Sequence, residues 1–408
     1  MVGFKRYWGL PALVAVGLAI PGGVSNLFLP STLASSVFDG SRVYVPVVSV
    51  QTLLLVVYCL IHLRLIRLTP QQLVMAVVLI FITLMCSCYS LYPSGFLSYS
   101  TTWLIAPFAV TIHYKKMRNA TIDPFSSTVG MVAYFFIPFY VVDLCVSLHT
   151  FGFEEFTSYT LATNGHTFVS MLLFLFVQFD LIAKPGRFRV IGFEMFALLV
   201  YLVGGVISQG RVALAFMFLA TMGIHWKHAR KVVPAGGVGL LALIFLSDKF
   251  NVIFNALVAA DFEDPVVWSS LLSRLNFWNV FFDIFASYPF AGAGGLSANI
   301  IKYDYDFPYD VFVDPHNEFI FILSGFGMCG FAFVAVAIIL CRSMRKRQLS
   351  APGIQLPLVR PAIVPTALFY IAGCSLTNAN SAKQNIELLL CLTILLALTG
   401  AMRPKKEE

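Results

Sequence analysis

The chain has 408 residues, of which 59% are hydrophobic and only 12% charged. Soluble domains carry about 25% charged residues, so a soluble globular protein is excluded and a polytopic membrane protein is indicated. The formal net charge of +7 has to be tested against membrane topology before it is credited to a nucleic-acid partner.

Windows of roughly 20 apolar residues, the length that crosses a hydrocarbon core about 30 Å thick, recur along almost the whole chain. About twelve are expected, at 8–29, 43–63, 71–92, 95–113, 127–148, 165–183, 189–208, 211–226, 233–247, 317–341, 361–378 and 384–402. The first is broken by Pro21-Gly22-Gly23 and followed by Leu33-Ala34-Ser35, a pattern that leaves a cleaved signal peptide open. No solenoid repeat, low-complexity tract or separate soluble domain is evident. The expected fold is therefore an all-α polytopic membrane protein. It forms a single integral membrane domain over 1–408, with one large loop at 248–316 between the ninth and tenth spans.

Lys and Arg concentrate in alternate loops. One set holds Lys5 and Arg6, Arg64 and Arg67, the KKMR run at 115–118, Lys184 with Arg187 and Arg189, Lys227 with Arg230 and Lys231, the RSMRKR run at 342–347, Arg360, and Arg403 with Lys405 and Lys406. These are 21 of the 27 basic residues; the other six are Arg42, Arg211, Lys249, Arg274, Lys302 and Lys383. By the positive-inside rule both termini are cytoplasmic and the 248–316 loop faces outward, to the periplasm in a bacterium. Topology thus accounts for the charge, and a nucleic-acid partner is not needed.

The eight cysteines fall inside predicted spans, without CxxC or metal-ligand spacing, and read as small core hydrophobes. In the outer loop, residues 268–286 carry apolar groups at helical spacing, with Ser269 or Ser270 available as N-cap. This predicts an amphipathic helix lying at the outer interface, with Trp268 and Trp278 at headgroup level. Tyr288-Pro289 ends it, Gly292, Gly294 and Gly295 make a tight connector, and an acidic, aromatic stretch leads to Asp314-Pro315. His316 opens the next span.

Of the seven histidines, His62, His113, His225 and His228 are expected at cytoplasmic span ends, and His149, His166 and His316 outside. His316 has a bland reading, a helix-start residue bonded to its own turn, and a functional one, a general base near neutral pH. Arg211, after Gln209-Gly210 at an outer span mouth, and Arg274, on the loop helix, could snorkel to lipid headgroups. Their sharper reading is a pair of guanidinium forks holding a lipid diphosphate. Asp304, Asp306, Asp310 and Asp314 lack the glycine-centred loop of a carboxylate metal site, and 292–295 lacks the Lys-Ser/Thr of a nucleotide loop. Asp143, Asp180, Glu194 and Glu387 lie within spans, where a transporter would need them for proton relay; the last three sit near span ends and are discounted.

Taken together, Arg274 with Trp278, Pro289 with Gly292 and Gly294, and Pro315-His316-Asn317 followed by Gly325, Gly327 and Gly330 resemble the signature of the O-antigen ligase and polymerase superfamily. The span number, the inward termini, the one dominant loop and the earlier Arg211 in SQGR extend the resemblance. It implies a membrane-helix (GT-C type) glycosyltransferase that takes a glycan from undecaprenyl diphosphate and passes it to a hydroxyl. The reaction implied is inverting and metal-independent, with no cofactor. In that scheme Arg211 and Arg274 stabilise the leaving diphosphate, His316 is the base, and Asp314 or Asn317 orients its imidazole, with Trp278 in support.

Within the superfamily, ligases transfer finished polymer to the lipid A core, whereas polymerases join repeat units still held on undecaprenyl carriers. One large loop with a histidine immediately after it favours a ligase of lipopolysaccharide biosynthesis, in the bacterial inner membrane with a periplasmic active site. An O-antigen or exopolysaccharide polymerase is the alternative. A lipid-linked oligosaccharide flippase would use the same basic groups, but should need polar residues along a path through the membrane, and these spans offer few.

Overall fold

The computed structural model describes residues 8–20, 26–30, 44–89, 93–117, 123–152, 158, 161–183, 191–208, 210–225, 273–293, 317–350, 362–376, 384–400 and 402. The α-helices among them are α1 (Gly9–Ala19), α2 (Val50–Ile61), α3 (Pro70–Tyr89), α4 (Pro93–Lys116), α5 (Pro124–Phe151) and α6 (Ala162–Ala183). They continue as α7 (Ile191–Ile207), α8 (Arg211–Ile224), α9 (Ser273–Ser287), α10 (Glu318–Leu349), α11 (Ile363–Ser375) and α12 (Gln384–Gly400). Every expected span coincides with one of these except 233–247, which lies outside the described residues, as does most of the 248–316 loop. Four helical stretches, Pro70–Tyr89, Pro124–Phe151, Gly165–Ala183 and Glu318–Leu349, are each long and apolar enough to cross a membrane. Other apolar helices are shorter, at 10–17 residues.

The all-α expectation needs one amendment. Strands β1 (Asn26–Pro30) and β2 (Tyr44–Ser49) pair antiparallel, with an irregularity between Leu27 and Phe28. Tyr44-Val45-Pro46-Val47-Val48 is rich in β-formers, and Pro46 pushes Val45 before it toward the extended region. The spans expected at 8–29 and 43–63 are accordingly shorter as helices, α1 ending at Ala19 and α2 beginning at Val50.

α4 packs against α2, α3, α10 and α12, and α6 against α5, α7, α8 and α11; α12 joins the two groups by touching α1, α5, α10 and α11. Inside α6, Phe168, Leu172, Leu175, Phe176 and Phe179 are fully buried. The outer faces are as apolar as the core, with Leu73, Val77, Phe81 and Leu84 of α3 exposed and Leu199 of α7 likewise. Such a surface suits a lipid solvent, and helices meet its demand that backbone groups bond within the segment.

Long-range hydrogen bonds sort the helix ends onto two faces. On one, Lys115 Nζ donates to Leu65 O (3.2 Å), Arg347 Nη1 to Arg67 O (3.0 Å), Gln348 Nε2 to Thr111 O (2.8 Å) and the Tyr114 hydroxyl to Leu396 O (2.8 Å). Arg64, Arg67, Lys115, Lys116 and the 342–347 run gather there, so it is called the basic face below. On the opposite face, Asn317 Nδ2 donates to Leu376 O (3.2 Å) and Thr167 and Ser208 bond through their hydroxyls (2.7 Å).

Candidate functional site

The long helix α10 starts on the face opposite the basic one, and its start is set by a single side chain. Asn317 Oδ1 accepts from the amides of Phe319 (2.9 Å) and Ile320 (3.2 Å), which is N-cap geometry. Its Nδ2 at the same time donates to Leu376 O at the end of α11. Asn317 therefore fixes the point from which His316 departs through the backbone. His316, whose imidazole Asn317 was expected to orient, lies outside the described residues.

α9, the loop helix expected from the sequence, spans Ser273–Ser287. Its apolar stripe docks on α10: Phe281, Ile284, Ala293 and Ile320 form one buried cluster, with Trp278, Val280 and Tyr288 packed against it. Trp278 is thus half-buried in protein. The turn after α9 goes deeper. Ala293 N–H donates to Ser324 O (2.8 Å), while the amides of Met328 and Cys329 donate to Pro289 O (2.9 Å) and Phe290 O (3.0 Å). Cys329 is twelve residues past Asn317, roughly 18 Å along a helix axis. The loop therefore re-enters the bundle.

That interlock explains the glycines of the motif. α10 is broken at Gly327, whose φ of 60° is left-handed, and Gly292 has φ 63°. A methyl group at Gly292 would collide with the Phe326 amide nitrogen, and one at Gly327 with the Phe290 carbonyl. Only glycine permits both the conformation and the approach. The amides freed by the break are satisfied by the carbonyls of the α9 turn, the condition for irregular backbone at membrane depth.

Arg274 is the second residue of α9 and Arg211 the first of α8. Phe216 lies against Gly373 and Gly223 near Thr366, so α8 runs antiparallel to α11. The helix that begins with Arg211 therefore begins where α11 ends, beside the Asn317–Leu376 bond. The backbone thus brings the starts of α8 and α10 and the end of α11 to one face, with α9 docked on α10 there. His316 and Asp314, together with Trp268, Gly294, Asp304, Asp306 and Asp310, lie outside the described residues.

Three carboxyl residues discounted from sequence are buried. Glu387 is 3% exposed, Asp180 1% and Glu194 8%. Glu387, in the first turn of α12, comes within electrostatic reach of Glu318 in the first turn of α10, and both act on Tyr99 of α4. The Tyr99 ring stacks on Phe326 at 3.9 Å. Sequence reading missed this group because its members come from three distant helices, and their proximity to span ends suggested solvent. His166, expected outside, is buried with its ring stacked 4.9 Å from that of Tyr140.

The basic face is built differently. Its buried polar groups bond to one another: His113 Nε2 to the Thr128 hydroxyl (2.7 Å), and Arg345 Nη1 to Gln348 Oε1 (3.2 Å) with the guanidinium 4.1 Å over the Tyr114 ring. His113, expected at a cytoplasmic span end, is fully buried. Asp123 caps α5 through the amides of Phe125 (3.1 Å) and Ser126 (3.2 Å) and the Ser126 hydroxyl. Burial pushes its carboxyl above the usual carboxylate range, although the capping bonds pull the other way.

Residues 196–335 match the family model Wzy_C, described as O-Antigen ligase. The chain carries a segment similar to the O-antigen ligase family. It runs from α7 through α8 and α9 into α10, and so includes Arg211, Arg274, both positive-φ glycines of the interlock and Asn317. Tyr99, Leu376 and Glu387 lie outside the O-antigen ligase segment but meet it in space or through a hydrogen bond. The match supports the ligase and polymerase superfamily as a whole, a group of multi-pass membrane enzymes. No curated protein matches the chain.

Proposed function

We propose that this protein is an O-antigen ligase of the bacterial inner membrane, moving a polysaccharide from undecaprenyl diphosphate to a hydroxyl of the lipid A core. The observation that supports the reading is the match of residues 196–335 to the O-antigen ligase model, within which α8 and α10 both start on the face opposite the basic one. By the positive-inside rule the basic face is cytoplasmic, which leaves the arginine face to the periplasm, where the lipid-linked polymer is displayed.

The chemistry follows from the residue types. The acceptor hydroxyl attacks the anomeric carbon from the side opposite the diphosphate, inverting the configuration. The new C–O bond forms as the bond to diphosphate breaks, and the electron pair leaves with the diphosphate. Arg211 and Arg274 offset the charge that develops there, His316 takes the acceptor's proton, and no metal is required because diphosphate is already a good leaving group. The test is surface polysaccharide from a strain lacking the gene. Polymer accumulating on its carrier, with bare lipid A core, supports the ligase; a core capped by single repeat units would instead assign a polymerase.

A further inference from the structure

The basic face holds a cluster of cations that the transfer scheme leaves unused. Its centre is the linker from α2 to α3, residues 62–69, which is bonded to the ends of α4 and α10. Lys115 Nζ donates to Leu65 O and Arg347 Nη1 to Arg67 O. Leu65 and Arg67 are two residues apart, so their α-carbons are separated by at most about 7 Å. Lys116 Nζ donates to His62 Nε2 at the start of the linker and lies 5.0 Å over the Tyr58 ring. A lysine ammonium cannot accept a hydrogen bond, so the His62 imidazole receives this one as a neutral ring. Bonds to carbonyls and to a neutral ring leave every positive charge in place. Arg64, Arg67 and Arg347 are exposed. Residues 60–70, 113–122 and 342–350 hold no Asp or Glu, and Asp123, next in the chain, is taken up in capping α5.

Like charges gathered this closely repel, and the gathering becomes favourable where they share an anion. The apolar neighbours say which kind of anion. Leu60, Ile61 and Leu63 are each more than half exposed beside Arg64, so acyl chains meet an apolar surface where the cations offer phosphate a charge. A soluble anion would use the cations and leave those side chains in water. We propose that the α2–α3 linker and the ends of α4 and α10 form a binding site for an anionic phospholipid of the leaflet on the basic side. Arg64, Arg67, Lys116 and Arg347 hold the headgroup phosphate, and Leu60, Ile61 and Leu63 lie along the acyl chains. The positive-inside rule orients the chain through all its basic loops. This site is local, because three segments are bonded together to make it. It stands independently of the transferase reading.

The test uses the full chain purified in detergent and compares binding of phosphatidylglycerol with that of phosphatidylcholine carrying the same acyl chains, by native mass spectrometry. Phosphatidylglycerol should bind at least about tenfold more tightly, since each cation near an anionic lipid is worth about a fivefold factor. Arg64→Gln combined with Arg67→Gln should lower that affinity about tenfold or more and leave phosphatidylcholine binding unchanged. Lys116→Gln, read the same way, decides the matter if the double variant fails to insert. Lys227→Gln combined with Arg230→Gln removes the same charge from another basic loop, and should change the affinity less than about twofold. Equal loss in the two double variants would assign the binding to net charge and overturn the site. Equal affinity for the two lipids, or full phosphatidylglycerol affinity without Arg64 and Arg67, overturns it as well. Glycerol phosphate at the concentration of the lipid should not displace phosphatidylglycerol; displacement would make the ligand a soluble phosphate and overturn the lipid assignment.

Discussion

The two faces of the bundle differ in their backbone. On the basic face, His113, Arg345, Gln348 and Asp123 are tied to neighbours by side-chain or backbone hydrogen bonds, and the links run between helices that simply need to be held together. On the Asn317 face, the backbone itself is irregular: a helix is broken at Gly327 and a loop re-enters. A broken helix and a re-entrant turn are costly in lipid, so a protein that places them at one end is using that end for something besides stability. The basic face reads as anchorage and the opposite face as the place of chemistry.

The largest way to break this comparison is through the interlock. Gly327→Ala must adopt a left-handed conformation and press on the Phe290 carbonyl, and should cost about 2–4 kcal/mol. Transfer activity should disappear as α9 is displaced, measured beside thermal unfolding in detergent. A Gly327→Ala protein with normal activity would show that the re-entrant turn does not position Arg274. Next in size is Arg274→Lys, which keeps the charge and removes the planar fork. It should lower kcat/KM about a hundredfold at unchanged thermal stability if the diphosphate is held by two parallel hydrogen bonds. A loss of only about twofold would return Arg274 to a snorkelling role.

How much of this could be read from the sequence depends on the kind of contact. The helices of the body were legible because lipid imposes an apolar run of known length, and the two faces were legible because Lys and Arg mark one of them. The motif glycines were visible as a cluster, but their purpose was not. Gly292 and Gly327 are 35 residues apart and meet only because α9 folds back along α10. The loop helix was recognised from its period, but its packing on α10 was not, since periodicity gives an apolar stripe without naming its partner. The β1–β2 ribbon was absorbed into two spans, because a run of Val and Tyr is as hydrophobic as a helix of Leu. Glu387 was set aside for its nearness to a span end, a rule that fails where another helix covers that end.

A smaller effect distinguishes capping from catalysis at Asn317. Asn317→Ala loses the N-cap and the bond to Leu376, and should destabilise by about 1–2 kcal/mol. Asn317→Asp keeps the cap acceptor and loses only the donor to α11, so its loss of stability should be less than about 1 kcal/mol. Activity should follow stability in this order if Asn317 works through the backbone. Asn317→Asp that is stable yet inactive would instead give the amide nitrogen a direct part in the reaction.

The smallest effect should come from the other face. Arg345 is 5% exposed and carries a full charge over the Tyr114 ring, so by burial alone it resembles a functional arginine. Its replacement by Met loses a cation–π contact worth about 0.5–2 kcal/mol, but also removes the cost of burying a guanidinium. The two terms oppose each other, and the remaining loss is the hydrogen bond to Gln348, whose amide still has Thr111 O as acceptor. Arg345→Met should therefore change thermal stability by about 1 kcal/mol or less and leave kcat within about twofold. If transfer instead collapsed while the protein stayed folded, the basic face would have a share in the chemistry, and burial of charge would have to be read as function at both ends of the bundle.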